Sequence, residues 1–298
     1  MKICCFGSLN IDWVYTVEHQ VRAGETLAAS ALARFPGGKG LNQAVALARA
    51  GGAVYHAGKI GHDGQFLAEY LKQNGVNTEF IETISAPSGH AIIQLDASGQ
   101  NGILVYGGAN HTMDTAFFER VLSFFDAGDI LLLQNEINLL GKLICLAHAR
   151  GLRIALNPSP ITADVCALPL EYIDFFFLNE IEGAALSGEV RPERIVSALH
   201  TRYPSGEVIL TLGKEGALCS FEDRLIRQAA FPVRAVDTTA AGDTFTGFYL
   251  AARATDMDIT DALRRAAAAA AIAVTRKGAS VSIPSMQEVE EMIEHVDQ

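Results

Sequence analysis

Residues 37–58, GGKGLNQAVALARAGGAVYHAG, carry the pattern on which the fold assignment depends. A glycine cluster comes first, a helical pattern follows over Leu41–Ala50, and the run at Val54–Gly58 predicts a strand. With a further strand-like run at Ile3–Phe6, the order is strand, helix, strand. Because such βαβ units place their two strands side by side and parallel, this part of the chain predicts an α/β protein.

The same alternation continues beyond these residues. Helical patterns at Gln65–Gln73 and Leu139–Ala149 alternate with strand-like runs at Ile130–Leu133 and Arg153–Leu156. The sequence contains no internal repeat and no long linker. We therefore predict one α/β domain over residues 1–298, with a mainly parallel central sheet.

Two insertions interrupt this alternation and predict a small additional sheet, which we call the lid. Their apolar residues do not alternate cleanly with polar ones, so we expect both faces of the lid to be covered. A substrate under one face and a second subunit against the other would meet this requirement, which predicts a homodimer formed through the lid. The lid is predicted to consist of antiparallel strands at about 11–17, 27–35, 90–95 and 103–106.

Composition and charge exclude several classes of protein. The chain has 298 residues with 23 Lys+Arg against 34 Asp+Glu, and its net charge of −11 argues against nucleic-acid binding. The longest apolar runs, 266–274 and 130–133, fall short of the ~20 residues of a membrane helix, which predicts no membrane association. The N-terminal apolar run is too short for a signal peptide, so we expect a cytoplasmic protein.

Residues 237–247, DTTAAGDTFTG, form the first candidate catalytic segment. A strand-like stretch at Phe231–Val236 leads into small residues, and an apolar helix is predicted to begin near Ala241. The unpaired N–H groups and positive dipole end of such a helix suit a phosphoryl group in transfer. Asp243, in the first turn, could take a proton from an attacking hydroxyl. From this segment alone, an acidic residue at a helix N-terminus with no catalytic role stays an open alternative.

Residues 36–44, PGGKGLNQA, form the second candidate segment. They do not match a Walker A phosphate-binding loop, since G-x-x-x-x-G-K-[ST] occurs nowhere in the chain. Backbone amides and Asn42 could instead bind sugar hydroxyls, although a glycine-rich turn that only caps a helix is equally compatible. Asp12 lies among apolar residues and needs polar partners, which sugar hydroxyls would supply. The surrounding residues 7–12 lack the G-x-G-x-x-G dinucleotide-binding fingerprint.

The glycine cluster near the N-terminus and the small-residue segment near the C-terminus resemble the two signatures of the ribokinase family of carbohydrate and nucleoside kinases, the phosphofructokinase-B type. The resemblance extends over essentially the whole chain, and its most specific parts are 37–44 and 237–245. It implies a three-layer α/β/α core with a β-sheet lid. The implied activity is ATP-dependent phosphorylation of D-ribose at O5, giving D-ribose 5-phosphate and ADP. The alternatives are a kinase for another sugar or for a nucleoside, and a non-catalytic sugar-binding protein of the same fold.

The resemblance also implies roles for individual residues at the transfer site. Asp243 would be the general base, and the amides of Ala240, Ala241 and Gly242 would form the anion hole. Residues that share the implied role of binding the sugar are Asn10, Asp12, Gly38, Lys39, Asn42, Glu136 and Asp243.

ATP, Mg²⁺ and K⁺ are the implied cofactors. Ala267 stands in an alanine run where related proteins often carry a polar residue, so we expect mostly apolar adenine contacts. Nucleotide-binding positions are Asn179, Thr211, Gly213, Gly216 and Gly242. Positions implied for Mg²⁺, through water or phosphate, are Asn179 and Glu182. Positions implied for K⁺ are Asp237, Thr239, Val274, Lys277, Gly278 and Ser282.

Overall fold

The computed structural model describes residues 1–222 and 224–297, which form thirteen β-strands and nine α-helices. The strands are β1 Lys2–Phe6, β2 Asn10–Thr16, β3 Ala31–Gly37, β4 Ala53–Gly61, β5 Asn77–Ile84, β6 Gly89–Leu95, β7 Asn101–Tyr106, β8 Ile130–Gln134, β9 Arg153–Asn157, β10 Phe175–Asn179, β11 Glu207–Thr211, β12 Ala217–Phe221 and β13 Arg224–Gln228. The helices are α1 Lys39–Arg49, α2 Gln65–Gln73, α3 Thr115–Leu122, α4 Leu140–Ala149, α5 Glu180–Ser187, α6 Pro192–Arg202, α7 Ala241–Arg253, α8 Ile259–Ala273 and α9 Met286–Asp297.

The main sheet has nine strands in the order β13-β12-β11-β10-β9-β8-β1-β4-β5. All neighbouring pairs from β11 to β5 are parallel, and only the pairs β11–β12 and β12–β13 at one edge are antiparallel. The prediction of an α/β fold with a mainly parallel central sheet is therefore confirmed. The chain moves outward from β1 in one direction through β4 and β5, and in the other through β8 to β11, which creates a switch point between β1 and β8.

Helices cover both faces of this sheet and give three layers. Ile3 and Cys5 of β1 pack in a core with α1, α2, α7, α8 and α9, whereas Cys4 and Phe6 pack in a second core with α3, α4, α5 and α6. A strand buried on both faces reads as an unbroken apolar run, which is why the sequence shows no alternation here. Within the described ranges, no helix combines the length and the apolar character needed to cross a membrane.

The lid is a four-stranded sheet in the order β3-β2-β6-β7. Its outer pairs are antiparallel, but the central pair β2–β6 is parallel, with Asn10 opposite Gly89, so the prediction of antiparallel strands is wrong for this pair. The reason lies in the connections. β2 follows β1 and β6 follows β5, and since β1 and β5 run in the same direction, the chain enters the lid in the same direction both times.

Two predicted strands differ from the observed ones. The strand predicted over 27–35 begins only at Ala31, because the residues just before it are irregular and pairing with β2 starts with Ala31 opposite Thr16. Phe231–Val236, predicted as a strand, is irregular. Its last amide, Val236 N, donates to Val274 O at 2.7 Å, so this stretch pairs with the end of α8 and not with the sheet.

Close packing of α1 against α7 brings the two glycine-containing segments together. A Cβ on Gly247 of α7 would lie 2.4 Å from Ala46 Cβ and 2.7 Å from Leu47 N of α1. Only glycine permits this approach, and the N-termini of both helices consequently reach the carboxyl edge of the main sheet side by side.

Candidate active site

Asp243, in the first turn of α7, lies in the crevice where the N-termini of α1 and α7 meet, and it is 7% exposed. Asn42 Nδ2 donates to its Oδ2 at 2.9 Å, and Gln43 Nε2 donates to its Oδ1 at 2.9 Å. The structure thus brings Asn42 and Asp243 together, as expected if both act on one substrate hydroxyl. Gln43 was not among the candidate residues.

Asp12 lies at the start of the lid, where β2 passes over the glycine cluster. A Cβ on Gly37 would lie 2.1 Å from Asp12 Oδ2, so glycine is needed at position 37 to make room for this carboxylate. Burial raises the pKa of Asp12 from its ordinary 3.8 to about 7, and the charge of Glu136 adds to the effect. Next to it, Asn10 Oδ1 accepts from Asn110 Nδ2 at 2.8 Å.

Glu136 follows β8 and reaches the N-terminus of α1. Its Oε2 accepts a hydrogen bond from Lys39 N at 3.1 Å and a short one from Ser8 Oγ. Burial raises the pKa of Glu136, while the hydrogen bond from Ser8 and the charge of Lys39 oppose that rise. Gly38 has a φ of +95° and lies against Ser8 O and Asn10 N, which explains the glycine there. Glu136, Lys39 and Gly38, to which the family resemblance assigns a shared role in sugar binding, are therefore neighbours.

The Lys39 side chain extends from this cluster into a polar cavity. The charge of Asp243 raises the pKa of Lys39, with burial opposing the rise and Glu136 and Glu182 adding to it. The charges of three carboxylates thus favour the protonated form of its ammonium group. Residues lining this cavity are Lys39, Asn157, Ser159, Phe177, Leu178, Asn179, Glu182, Thr211, Gly242 and Thr246.

A second, mostly apolar cavity of about 430 Å³ adjoins the first. It shares Thr211 and Gly242 with the polar cavity. Ala267 of α8 lines it, in agreement with the expectation of apolar contacts at this position. Its remaining lining residues are Gly213, Lys214, Gly216, Ala230, Phe231, Pro232, Val233, Ala235, Thr238, Ala241, Phe245, Ala270, Ala271 and Val274.

The N-terminus of α7 separates the two cavities. Ala240 takes the left-handed conformation with a φ of +58°, and Ala241 N donates to Thr238 O at 3.3 Å within the turn. Gly242 and Asp243 occupy the next positions, whose N–H groups have no acceptor within a helix. An anionic group placed at Gly242 would meet these amides and the positive end of the helix.

Asn179 and Glu182 lie together at the N-terminus of α5, directly after β10. Asn179 N and Nδ2 each donate to Glu182, both at 2.9 Å, and Glu182 N donates to Asn179 Oδ1 at 2.9 Å. This reciprocal capping box fixes both side chains at the edge of the polar cavity. The predicted proximity of the two residues is present.

Asp237 connects the residues before α7 to the 274–282 loop. Its Oδ2 accepts from Gly278 N at 2.9 Å, and its Oδ1 accepts from Thr239 N at 2.9 Å and from Thr239 Oγ1. Burial by itself would raise the pKa of Asp237, but these hydrogen bonds and the charge of Lys277 outweigh it and lower the pKa. Val274 O accepts from Val236 and Asp237 amides, and Ser282 Oγ donates to Ala279 O at 2.7 Å.

Several polar residues of the site were missed by sequence reasoning. Ser8 holds Glu136, Asn110 holds Asn10, and Gln43 and Gln134 form a chain that ends on Asp243. Two of them had a visible signal. Gln43 directly follows Asn42, and Gln134 ends the apolar run Ile130–Leu133 at the carboxyl end of a strand, where ligands of α/β sheets collect.

Comparison with known proteins agrees with this arrangement. The family model of the pfkB family carbohydrate kinases matches residues 1–286. The ribokinase of Bacillus subtilis (strain 168) is 36% identical over 297 residues, covering 98% of this chain and 99% of that protein. The deoxyribokinase of Salmonella typhi is 32% identical over 302 residues, with coverage of 98% and 99%. The structure of Arabidopsis thaliana ribokinase complexed with ribose and ATP superposes with a TM-score of 0.87 at 32% identity, covering 98% of each chain.

The chain belongs to the pfkB family of carbohydrate kinases. The family resemblance and the fold that it implied are confirmed.

The raised pKa of Asp12 predicts that this carboxylate costs stability in the sugar-free protein. The pKa of this carboxyl is 3.8 in the unfolded chain and about 7 in the folded protein. Its cost to the folding free energy is therefore small below pH 4, grows between pH 4 and pH 7, and is complete above pH 7. Asp12→Asn should therefore raise the free energy of unfolding, by on the order of 2 kcal/mol more at pH 8 than at pH 5. Urea unfolding at both pH values measures this. The same gain at pH 5 and pH 8 would contradict the burial argument.

Proposed function

We propose that this protein is a ribokinase that transfers the γ-phosphoryl group of ATP to O5 of D-ribose, giving D-ribose 5-phosphate and ADP. The observation that carries the proposal is the position of Asp243. Its carboxylate faces Asn42 on the sugar side, and Gly242, the residue before it, lines both cavities. The B. subtilis and A. thaliana ribokinases, similar over nearly their full lengths, support the choice of substrate.

In the proposed reaction, Asp243 Oδ2 accepts the proton of the ribose 5-hydroxyl. The freed oxygen electron pair forms the bond to the γ-phosphorus, while the bond from phosphorus to the β,γ-bridging oxygen breaks and its electron pair leaves with ADP. The amides of Ala240, Ala241 and Gly242 stabilise the charge on the transferring group. Lys39, held protonated by its carboxylate neighbours, adds a positive charge beside it.

The sugar is proposed to lie between the lid and the glycine cluster. Asn10, Asp12, Asn42 and Glu136 are polar groups that converge there from three segments: β2, α1 and the residues after β8. Asp12 accepts hydrogen bonds from ribose hydroxyls, and those bonds compensate for the burial of its charge. Lid closure over the sugar would exclude water from this arrangement.

ATP is proposed to place adenosine in the 430 Å³ apolar cavity, beside Gly213, Gly216 and Ala267, and its phosphates towards Thr211 and Gly242. Asn179 and Glu182 fit a role in Mg²⁺ placement, since an oxygen-rich pair held rigid at the cavity edge suits a hard cation bound through water. When bound, Mg²⁺ would neutralise charge on the β- and γ-phosphates.

The loop around Asp237 is proposed to hold K⁺, with Thr239, Val274, Lys277, Gly278 and Ser282 contributing backbone or side-chain oxygen atoms. The residues fit such an ion because Asp237 supplies a carboxylate at the centre of the loop. In addition, the buried Ser280 Oγ of the same loop has no hydrogen-bond partner among the described residues. When bound, K⁺ would fix the loop that leads into the anion hole.

A second candidate is a kinase for another sugar. The S. typhi deoxyribokinase covers 98% of this chain at 32% identity, which favours deoxyribose as the first alternative substrate. ADP release measured with ribose, deoxyribose, hexoses and nucleosides decides between them. The highest kcat/KM with a substrate other than ribose would refute the choice of ribose and leave the kinase assignment intact.

Asp243→Asn tests the general base. Because an amide cannot accept the hydroxyl proton, kcat should fall roughly 10²- to 10⁴-fold while ATP still binds. Coupled ADP release gives kcat, and calorimetric titration with a non-hydrolysable ATP analogue reports binding. Near-normal turnover in this variant would exclude Asp243 as the base.

Potassium should stimulate the reaction strongly at fixed ionic strength, and sodium should substitute poorly. Misplacing reacting groups by ~1 Å costs ~10²-fold in rate, so an ion that orders the loop before the anion hole affects turnover without contacting the sugar. Asp237→Ala should abolish the stimulation together with much of the activity. Initial rates in potassium chloride and in choline chloride, with Mg²⁺ and ATP saturating, measure the effect; equal rates would contradict it.

The lid is proposed to form a homodimer. Ile103, Leu104, Val105 and Tyr106 of β7 are 53–68% exposed in the single chain, an apolar surface of a kind that marks an interface. Light scattering at micromolar concentration should report about twice the 31.9 kDa of one chain. Leu104→Glu should reduce this mass, whereas the control Leu225→Glu, at an equally apolar position on β13, should not. A 31.9 kDa species alone would contradict the dimer.

A further inference from the structure

A chain of two buried glutamine side chains leads from strand β8 to Asp243. Gln134 Nε2 donates to Gln43 Oε1 at 2.7 Å, and Gln43 Nε2 donates to Asp243 Oδ1 at 2.9 Å. Both glutamines are fully buried. The chain joins the three elements that meet at the switch point, because Gln134 ends β8, Gln43 lies in α1 and Asp243 begins α7.

Gln134 determines which way the Gln43 amide points. A side-chain amide offers an oxygen acceptor at one end and an NH₂ donor at the other. Since Gln134 donates to the oxygen, the NH₂ group of Gln43 is directed at Asp243. A reversed amide would place an oxygen against the carboxylate and leave the NH₂ group of Gln134 facing a second donor, so the observed orientation is the one that satisfies both contacts.

Burying Gln134 lowers the free energy of unfolding. Gln134 Oε1 is buried and accepts no hydrogen bond from any residue that the structure describes, which folding penalises. A Cβ on Gly7 would lie 2.1 Å from this same oxygen, so a glycine is required opposite it. An apolar side chain at position 134 would not bury an unpaired oxygen atom, and a costly polar group beside a reactive one points to a functional reason for keeping it.

We propose that Gln43 is a positioning residue for Asp243 and that Gln134 acts through Gln43. This inference rests on the proposed role of Asp243 as the base. Asn42 is a proposed sugar ligand, so its contact with Oδ2 is exchanged for one with the substrate. Gln43 stays on Oδ1 and prevents the carboxylate from rotating about its Cβ–Cγ bond. Oδ2 therefore keeps facing the sugar hydroxyl when Asn42 turns to it.

The test compares Gln43→Met, which keeps the size of the side chain and removes the amide, with Leu67→Met, a buried apolar change on α2 in the same core but outside the contact between α1 and α7. Gln43→Met should lower kcat about 10- to 100-fold and leave KM for ribose and for ATP nearly unchanged. Leu67→Met, which perturbs only packing, should leave kcat unchanged. A kcat for folded Gln43→Met within about two-fold of the unmodified enzyme would overturn the proposal.

A second, independent test introduces Gln43→Met into the Asp243→Asn variant. If Gln43 acts through the base, Gln43→Met should cause no further loss of kcat once the base is gone, because residues that work as one unit are strongly non-additive. An equal loss in both backgrounds would show that Gln43 acts elsewhere. If Gln43→Met does not fold, Gln134→Met can be used instead, because it retains Gln43 and Asp243. It should lower kcat to a smaller extent and preserve both KM values. An unchanged kcat would refute the proposal that Gln134 acts through Gln43.

Failure of the two proposals gives different results. No ADP release by the unmodified enzyme with any sugar would refute the proposed function. Normal turnover that is insensitive to Gln43→Met and Gln134→Met would refute only the positioning role.

Discussion

The contact between α1 and α7 is the constraint on which the site depends. Asn42 and Gln43 are 201 and 200 residues away from Asp243 in the chain, yet both reach its carboxylate at 2.9 Å. Such reach is available to short side chains only because Gly247 lets the helix backbones approach each other. The glycine makes no contact with any proposed ligand position, but the geometry of the base follows from it.

Around this contact the protein concentrates charge that it would be more stable without. Asp12 and Glu136 are half-buried near each other and their pKa values are raised, while the charge of Lys39 opposes the rise for Glu136. Buried carboxylates are tolerated when hydrogen bonds or counter-charges replace water. Glu136 has Ser8 and the Lys39 amide, but Asp12 depends on groups that a substrate would bring. The crevice is thus built for its occupied state.

Local sequence patterns predicted most of the fold and pointed to the two candidate segments, because these depend on neighbouring positions. The glycine cluster at 37–40 and the small residues at 240–242 identified both helix N-termini, and the apolar run at Ile130–Leu133 identified a central strand. Which strands pair and which distant side chains meet was harder to predict. The parallel β2–β6 pair depends on the directions of β1 and β5, and the contacts of Ser8, Asn110 and Gln134 join residues about 100 positions apart or more, which no local pattern encodes.

The two cavities differ in chemistry because they are built from different layers. Strand ends and helix N-termini line the polar one, whereas the alanine-rich face of α8 and the irregular residues 230–235 line much of the apolar one. Gly242 lies where they meet, and with no side chain it exposes the amides of α7 to both. A ligand that is apolar at one end and polyanionic at the other can occupy both cavities only by placing its charge at this helix terminus, adjacent to Asp243. The proposed position of the phosphoryl group beside Asp243 therefore follows from the way the two cavities meet at Gly242.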